Sequence, residues 1–202
     1  MMFAVTSRAW RSSAFGLAAV LSCIPAFTSS AAAQPMPLAE RIQLCSACHG
    51  ADGNSAMEKI PSLAGQPEFY ILNQLFLMRE GVRQVEAMAP LVKDLQDDDL
   101  DALAKHFSKL APKATAEPVD AELVKRGAEI ATKMRCGSCH LPTLAGQQQM
   151  PRLARQRIDY LIKAMQDLRG SQRPGADGNM TAAIAAASEA DLVALAHYAS
   201  SK

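Results

Sequence analysis

The pentapeptide Cys-x-x-Cys-His occurs twice in this 202-residue chain, as Cys45-Ser46-Ala47-Cys48-His49 and as Cys136-Gly137-Ser138-Cys139-His140. No other feature constrains the fold as strongly. Two cysteines spaced by two residues and followed by histidine form the attachment signature of a c-type haem, with the thiols bonded to the porphyrin vinyl groups and the histidine beneath the iron. Each segment around a motif must then fold around a large, flat, apolar body, and the chain carries two irons. Two rival readings are weaker. A four-cysteine zinc site usually keeps its cysteine pairs about 15–20 residues apart, whereas most of a domain separates Cys48 from Cys136. A thioredoxin-like redox pair needs a βαβ context that is absent upstream. Two covalently bound haem c groups are therefore expected.

The N-terminus agrees. Arg8 and Arg11 precede an apolar run from Ala14 to Phe27, and Ala31-Ala32-Ala33 supplies small residues for cleavage. Residues 1–33 read as a secretory signal, too short and wrongly flanked for a membrane anchor. The mature chain is expected to begin near Gln34 and to be periplasmic, where c-type haems are attached. Cys23 lies inside the apolar run; a lipoprotein anchor through it is the minority alternative. The other four cysteines belong to the two motifs.

Loss of residues 1–33 takes two arginines and no acid, leaving 19 Lys+Arg against 20 Asp+Glu. That balance argues against a nucleic-acid partner. The only tryptophan, Trp10, leaves as well. Domains of about 80 residues with so few large side chains have marginal cores of their own. A porphyrin in each makes up the deficit, so folding and haem attachment should be coupled.

The chain repeats itself. Pro61-Ser62-Leu63-Ala64-Gly65-Gln66 recurs as Pro151-Arg152-Leu153-Ala154-Arg155-Gln156, and Tyr70, Arg79 and Arg83 recur as Tyr160, Arg169 and Arg173. Leu100, Leu103 and Ala104 match Leu192, Leu195 and Ala196. A proline-bearing stretch, 112–119, separates the copies. The expected organisation is a signal at 1–33, a first domain at 34–111, a linker at 112–119 and a second domain at 120–202. Apolar spacing is helical throughout. Phe69, Leu72, Leu75 and Phe76 should line one face of a helix opened by Pro67; Ile158, Leu161, Ile162 and Met165 do so in the second copy. Asp97, Asp98 and Asp99 mark the start of one terminal helix, and Ser188-Glu189-Ala190-Asp191 reads as a capping box for the other. A helix from about Ala121 to Lys133 should lead into the second motif, against a stub from Leu38 to Leu44 before the first. The fold class is all-α.

His49 and His140 give each iron one axial ligand. Met88 and Met180 precede the terminal helices by the same interval, and a soft thioether at equivalent loop positions suits two such irons. Methionine is also a common apolar filler, and Met57, Met78, Met134, Met150 and Met165 lack a methionine counterpart, so they are read that way. His106 and His197 are the only spare histidines and fall inside the terminal helices, out of register. Arg83 and Arg173, just before the ligand loops, are candidates for haem propionates or for solvated surface residues.

These residues resemble tandem class I cytochrome c domains, and their arrangement is similar to the di-haem cytochrome c4 family across essentially the whole mature chain. The resemblance implies two domains facing each other about a pseudo-two-fold axis, each wrapping one haem. It also implies that the Pro61 and Pro151 carbonyls hold Nδ1 of His49 and His140. Two features depart from the family pattern: the first domain's leading helix is shorter than usual, and the second motif continues Leu141-Pro142-Thr143 where the first has Gly50-Ala51-Asp52-Gly53-Asn54, which predicts a differently covered second haem. The expected function is transport of electrons from a respiratory donor toward a terminal oxidase, through small transient contacts. An electron-accepting subunit of a dehydrogenase, and a di-haem peroxidase or sulfur-compound oxidase, are the alternatives. The partners expected are redox proteins, and transient association with a membrane surface stays open. No catalytic residue is expected, since a methionine in each loop closes the position that an enzyme would keep free.

Overall fold

The computed structural model describes Met2 and residues 36–202; the rest of the expected signal, with Cys23, lies outside the described residues. Helical periodicity resolves into nine helices among these residues: α1 Leu38–His49, α2 Glu68–Arg79, α3 Ala89–Val92, α4 Asp97–Ser108, α5 Ala121–Lys133, α6 Gly137–His140, α7 Ile158–Arg169, α8 Gly178–Ile184 and α9 Glu189–Ser200. No strand forms among them, only an isolated bridge between Gln147 and Met150. None of these helices is long and apolar enough to cross a membrane.

Two small cores result. Ile71, Leu75, Val92, Leu95, Leu100, Leu103, Ala104 and Phe107 make the first, and Leu144, Ala154, Ile158, Leu161, Ala196 and Ala199 the second. In each half the second long helix (α2, α7) packs on the terminal helix (α4, α9). One device joins them in both copies. Arg79 reaches the Leu95 carbonyl at 3.1 Å and Asp97 at 2.8 Å, and Arg169 reaches the Ala187 carbonyl at 2.7 Å and also Glu189. Both terminal helices open with a capping box, Gln96 with Asp99 and Ser188 with Asp191. The second follows the sequence expectation; the first uses glutamine, which sequence rules rank low as a cap.

Two expectations change. The stub before the first motif is a full helix, because α1 continues unbroken from Leu38 through Cys45 and Cys48 to His49. In the second half the helix stops at Lys133, the chain turns through Arg135 at φ 57°, and α6 restarts at Gly137. On α2 the buried positions are Ile71 and Leu75, while Phe69 and Phe76 are 56% and 45% exposed. Apolar residues lie all round this helix, so spacing alone does not select the buried stripe.

Gly127 shows why α5 can lie so close to α9. A Cβ at this position would sit 2.1 Å from the Ala194 carbonyl oxygen. The first half has α1 against α4 but no glycine at such a crossing.

Candidate haem sites

The spacing of each motif places its two cysteines three positions apart on helical backbone, hence on one face. Cys45 and Cys48 lie in the last turns of α1; Cys136 caps α6 and Cys139 lies within it. None of the four is paired in a disulfide; Cys48 and Cys139 are exposed, and Cys45 and Cys136 half-buried. Burial pushes the Cys45 and Cys136 thiols up. Among the described residues no group of three or more His, Cys, Asp or Glu could hold a metal ion. The two cysteine pairs are thus not brought together into one group.

Both histidines are buried, His49 at 7% and His140 at 6% exposure. His49 Nδ1 lies 2.8 Å from the Pro61 carbonyl, and His140 Nδ1 lies 2.9 Å from the Pro151 carbonyl. A carbonyl only accepts, so the proton sits on Nδ1 and the Nε2 lone pair is left available. Burial holds both rings below the usual histidine pKa, the carbonyl bonds opposing it. Each half thus presents a neutral, oriented imidazole, as the resemblance implied.

The methionines are less alike than their sequence interval suggests. Met88 is the N-cap of α3 and, like Cys45 and Ile42, packs against the first core. Met180 is not in a loop. Asp177 accepts a hydrogen bond from the Asn179 amide at 2.8 Å and starts α8 early, so Met180 falls in its first turn. Met180 is half-buried and is not among the side chains packed on the second core. His106 stands edge-on to Phe107, and His197 Nδ1 accepts from the Asp120 amide at 3.1 Å.

The loop after each motif keeps its backbone bonds but changes its chemistry. The Gly53 carbonyl accepts from the amides of Leu63 and Ala64, and the Leu144 carbonyl accepts from those of Leu153 and Ala154. Gly53 has φ +73° and Leu144 φ +56°. Where the first half has no side chain, the second inserts a leucine buried to 3%. This is the structural content of the asymmetry anticipated after His140.

Between the halves lies a reciprocal set of hydrogen bonds. The Gln156 side chain accepts from the Ser62 amide and donates to the Ser62 carbonyl, both at 2.8 Å. Gln66 does the same to Arg152, both at 2.9 Å. Arg173 crosses to the Tyr70 hydroxyl and to Gln74, each at 2.9 Å, while Arg83 bonds Gln74 at 2.7 Å. Enclosure pushes Tyr160 up, but the charges of Arg173 and Arg83 outweigh it and hold its pKa below the ordinary value. These two arginines, read from sequence as propionate or surface residues, belong to the contact between the copies.

Arg152 was not singled out from sequence. It is 4% exposed; its Nη1 donates to the Ala154 carbonyl, whereas Nε and Nη2 are buried with no partner among the described residues. Burial drives its pKa down to about 10. A buried guanidinium without an anion is costly. A haem propionate is an anion of the required kind, so the donor set fits the cofactor: paired thiols, an oriented imidazole, and an orphaned cation. The only sequence signal was a charged residue at the position where the first copy has Ser62.

Two family models match the chain: residues 32–106 match cytochrome c oxidase, cbb3-type, subunit III, and residues 124–201 match cytochrome c. The chain is 37% identical over 164 residues to cytochrome c4 of Pseudomonas aeruginosa, covering 77% of this chain and 82% of that protein. It is 32% identical to a thiosulfate dehydrogenase electron acceptor of Stutzerimonas stutzeri, covering 76% of each. Among solved structures, reduced recombinant cytochrome c4 from Pseudomonas stutzeri superimposes with a TM-score of 0.72 at 30% identity, over 82% of this chain and 98% of that one.

Proposed function

The chain belongs to the cytochrome c4 family and holds two covalently bound haem c groups, and from that premise we propose that it is a periplasmic carrier of electrons between respiratory partners, delivering toward a terminal oxidase. In this reading residues 34–111 and 120–202 are the two domains, joined by 112–119 after removal of the signal at 1–33. Cys45 and Cys48 carry the first haem, and Cys136 and Cys139 the second. His49 and Met88 would bind the iron of the first haem, and His140 and Met180 that of the second.

Each haem, when bound, supplies an iron that exchanges one electron, and pairing with histidine and methionine raises its potential. The protein's own contribution is to orient and enclose. The Pro61 and Pro151 carbonyls fix the tautomer and plane of the two imidazoles. Arg152 would neutralise a propionate in the covered interior. What supports the reading is that each half holds a buried imidazole oriented by a proline carbonyl and that the repeat offers each half a methionine; with these as ligands neither iron keeps a position for substrate. On this ground the chain has no catalytic residue and is not an enzyme.

A second reading follows from the similarity to the thiosulfate dehydrogenase electron acceptor: the same sites serving one dehydrogenase as a fixed acceptor. Spectroscopic potentiometry of the purified holoprotein, with carbon monoxide added to the reduced form, tests the common core of both. Two one-electron waves and no rapid carbon monoxide binding are expected. Rapid binding would reveal an open iron and reinstate a peroxidase or oxidase. Fast reduction by a single dehydrogenase, with slow exchange toward an oxidase, would select the second reading.

A further inference from the structure

The two axial histidines are not hydrogen-bonded to isolated carbonyls. The Pro61 carbonyl that accepts from His49 and the Ser62 amide that donates to Gln156 are the two ends of one peptide group. In the other half, the Pro151 carbonyl accepting from His140 and the Arg152 amide donating to Gln66 are likewise one peptide group. Each histidine is therefore linked through a single peptide plane to the glutamine of the opposite half. All four peptide-side and glutamine residues are buried, Ser62 at 3%, Gln66 at 4%, Arg152 at 4% and Gln156 at 2% exposure. Water does not screen these chains.

We propose that Gln66 and Gln156 are positioning residues that set the reduction potentials crosswise, Gln156 acting on the haem of the first half and Gln66 on that of the second. The physical route is hydrogen-bond cooperativity. An amide whose N–H is donated to an acceptor carries more negative charge on its carbonyl oxygen. The Pro61 oxygen then draws harder on the His49 Nδ1 proton and makes the imidazole a more basic ligand, which favours the ferric iron. Each glutamine lowers the potential of the other half's haem, and the link holds only while the two halves are docked.

The two chains are unequal for a reason written in the sequence. Gln66 is followed by Pro67, which has no amide proton, and among the described residues its Oε1 serves the Arg152 amide alone. Gln156 is followed by Arg157, whose amide also donates to Oε1, at 3.0 Å. A shared acceptor gives less to each donor. The effect of Gln66 on the second haem should exceed that of Gln156 on the first.

The inference rests on His49 and His140 being the iron ligands. That premise has its own readout: in the reduced, unsubstituted holoprotein both histidines should show the ring-current-shifted proton resonances of a haem-bound imidazole. Their absence would refute the ligand assignment before any variant is made. With the resonances assigned, Gln156→Met and Gln66→Met are compared with the parent by potentiometry resolved haem by haem by NMR.

Gln156→Met should raise the potential of the first-half haem, and Gln66→Met that of the second. The reduction equilibrium should shift by roughly threefold to tenfold, tenfold being about 59 mV for a one-electron couple. The Nδ1 proton of the histidine opposite the substitution should move upfield. Gln156→Glu retains an oxygen facing the Ser62 amide and should leave the first potential unchanged or lowered, a test that stands even if the methionine variants fold poorly. The proposal is overturned if a methionine variant shifts only the haem of its own half, shifts both haems equally, or shifts neither. A raised first potential in Gln156→Glu also overturns it.

Discussion

Gly127→Ala should weaken the second domain even though alanine is the better helix former. At this crossing an added Cβ would lie 2.1 Å from the Ala194 oxygen, 2.7 Å from its carbonyl carbon and 2.7 Å from Tyr198 Cβ. Two of the three opposing atoms are backbone, so no rotamer change relieves the clash. Restoring ordinary contact requires α5 and α9 to part by roughly 1 Å along their shared face. Helix propensity returns about 1 kcal/mol in favour of alanine. Overpacking costs about 1–3 kcal/mol and more where backbone must move. The crossing is a main contact of the second domain, so the net loss should be about 2 kcal/mol. For a chain of this size that is about 4–8 °C in melting temperature. Gly178→Ala is the matched control, because no atom of the described residues lies within 4 Å of a Cβ there; it should be neutral or stabilising by up to about 1 kcal/mol. Thermal melts of the two holoproteins, followed by far-ultraviolet ellipticity, make the comparison. A Gly127→Ala protein melting at or above the parent would refute the close-packed crossing.

The remaining predictions concern charges and caps. Asp191 closes the α9 capping box and binds Arg126 on α5 at 2.8 Å; bonds from Ser188 and then Arg126 hold its pKa at about 2. Its folded pKa lies below the unfolded value near 4, so its stabilisation is full above about pH 4 and lost as pH falls through about 2. Asp191→Asn should lower the melting temperature at pH 7 and converge with the parent near pH 2; parallel curves across that window would contradict this. Glu117, between α4 and α5, accepts from the Ile158 amide at 2.8 Å and the Asp159 amide at 3.1 Å, and so caps α7. Glu117→Ala should cost about 0.5–2 kcal/mol and speed hydrogen exchange at those two amides, whereas unchanged exchange would count against the cap. Arg152→Met removes a buried positive charge without touching the backbone that Gln66 holds. One haem potential should fall, because a nearby cation favours the ferrous iron, and unchanged potentials would deny Arg152 a propionate.

Much of the fold was legible because the sequence is written twice. The spacing from Pro67 to Arg79 and from Arg157 to Arg169 marks equivalent helices, and the acidic starts of α4 and α9 mark their ends. The second leading helix came out at Ala121–Lys133, as periodicity indicated. The first did not, because a motif read as a separate chemical unit is also good helical sequence, and α1 runs straight through it. Phe69 and Phe76 misled for a different reason: on a helix apolar all round, burial is decided by what packs against it. Met180 lies in a helix because Asp177 caps α8 three residues before it, a start that the methionine interval does not reveal.

The site was half legible. The cysteines and histidines announce themselves, and the carbonyl partners of the histidines follow from the family pattern. The contact between the halves does not. Gln66 and Gln156 stand out in sequence only as repeat markers, and nothing local reveals that each bonds the backbone of the other copy. Arg83 and Arg173 looked like ligand-loop residues for the same reason, since equivalence within a repeat says nothing about contact across it. Arg152 could be found only once burial and the lack of partners were known.

The central claim is that both irons are closed by a histidine and a methionine. The absorption spectrum of the oxidised holoprotein tests it most directly, through the weak charge-transfer band that methionine sulfur makes with ferric haem iron. The intensity should correspond to two irons, with Met88→Ala and Met180→Ala each removing one share and the double variant removing the band. A band that survives both substitutions, or that accounts for one iron only, would contradict the account.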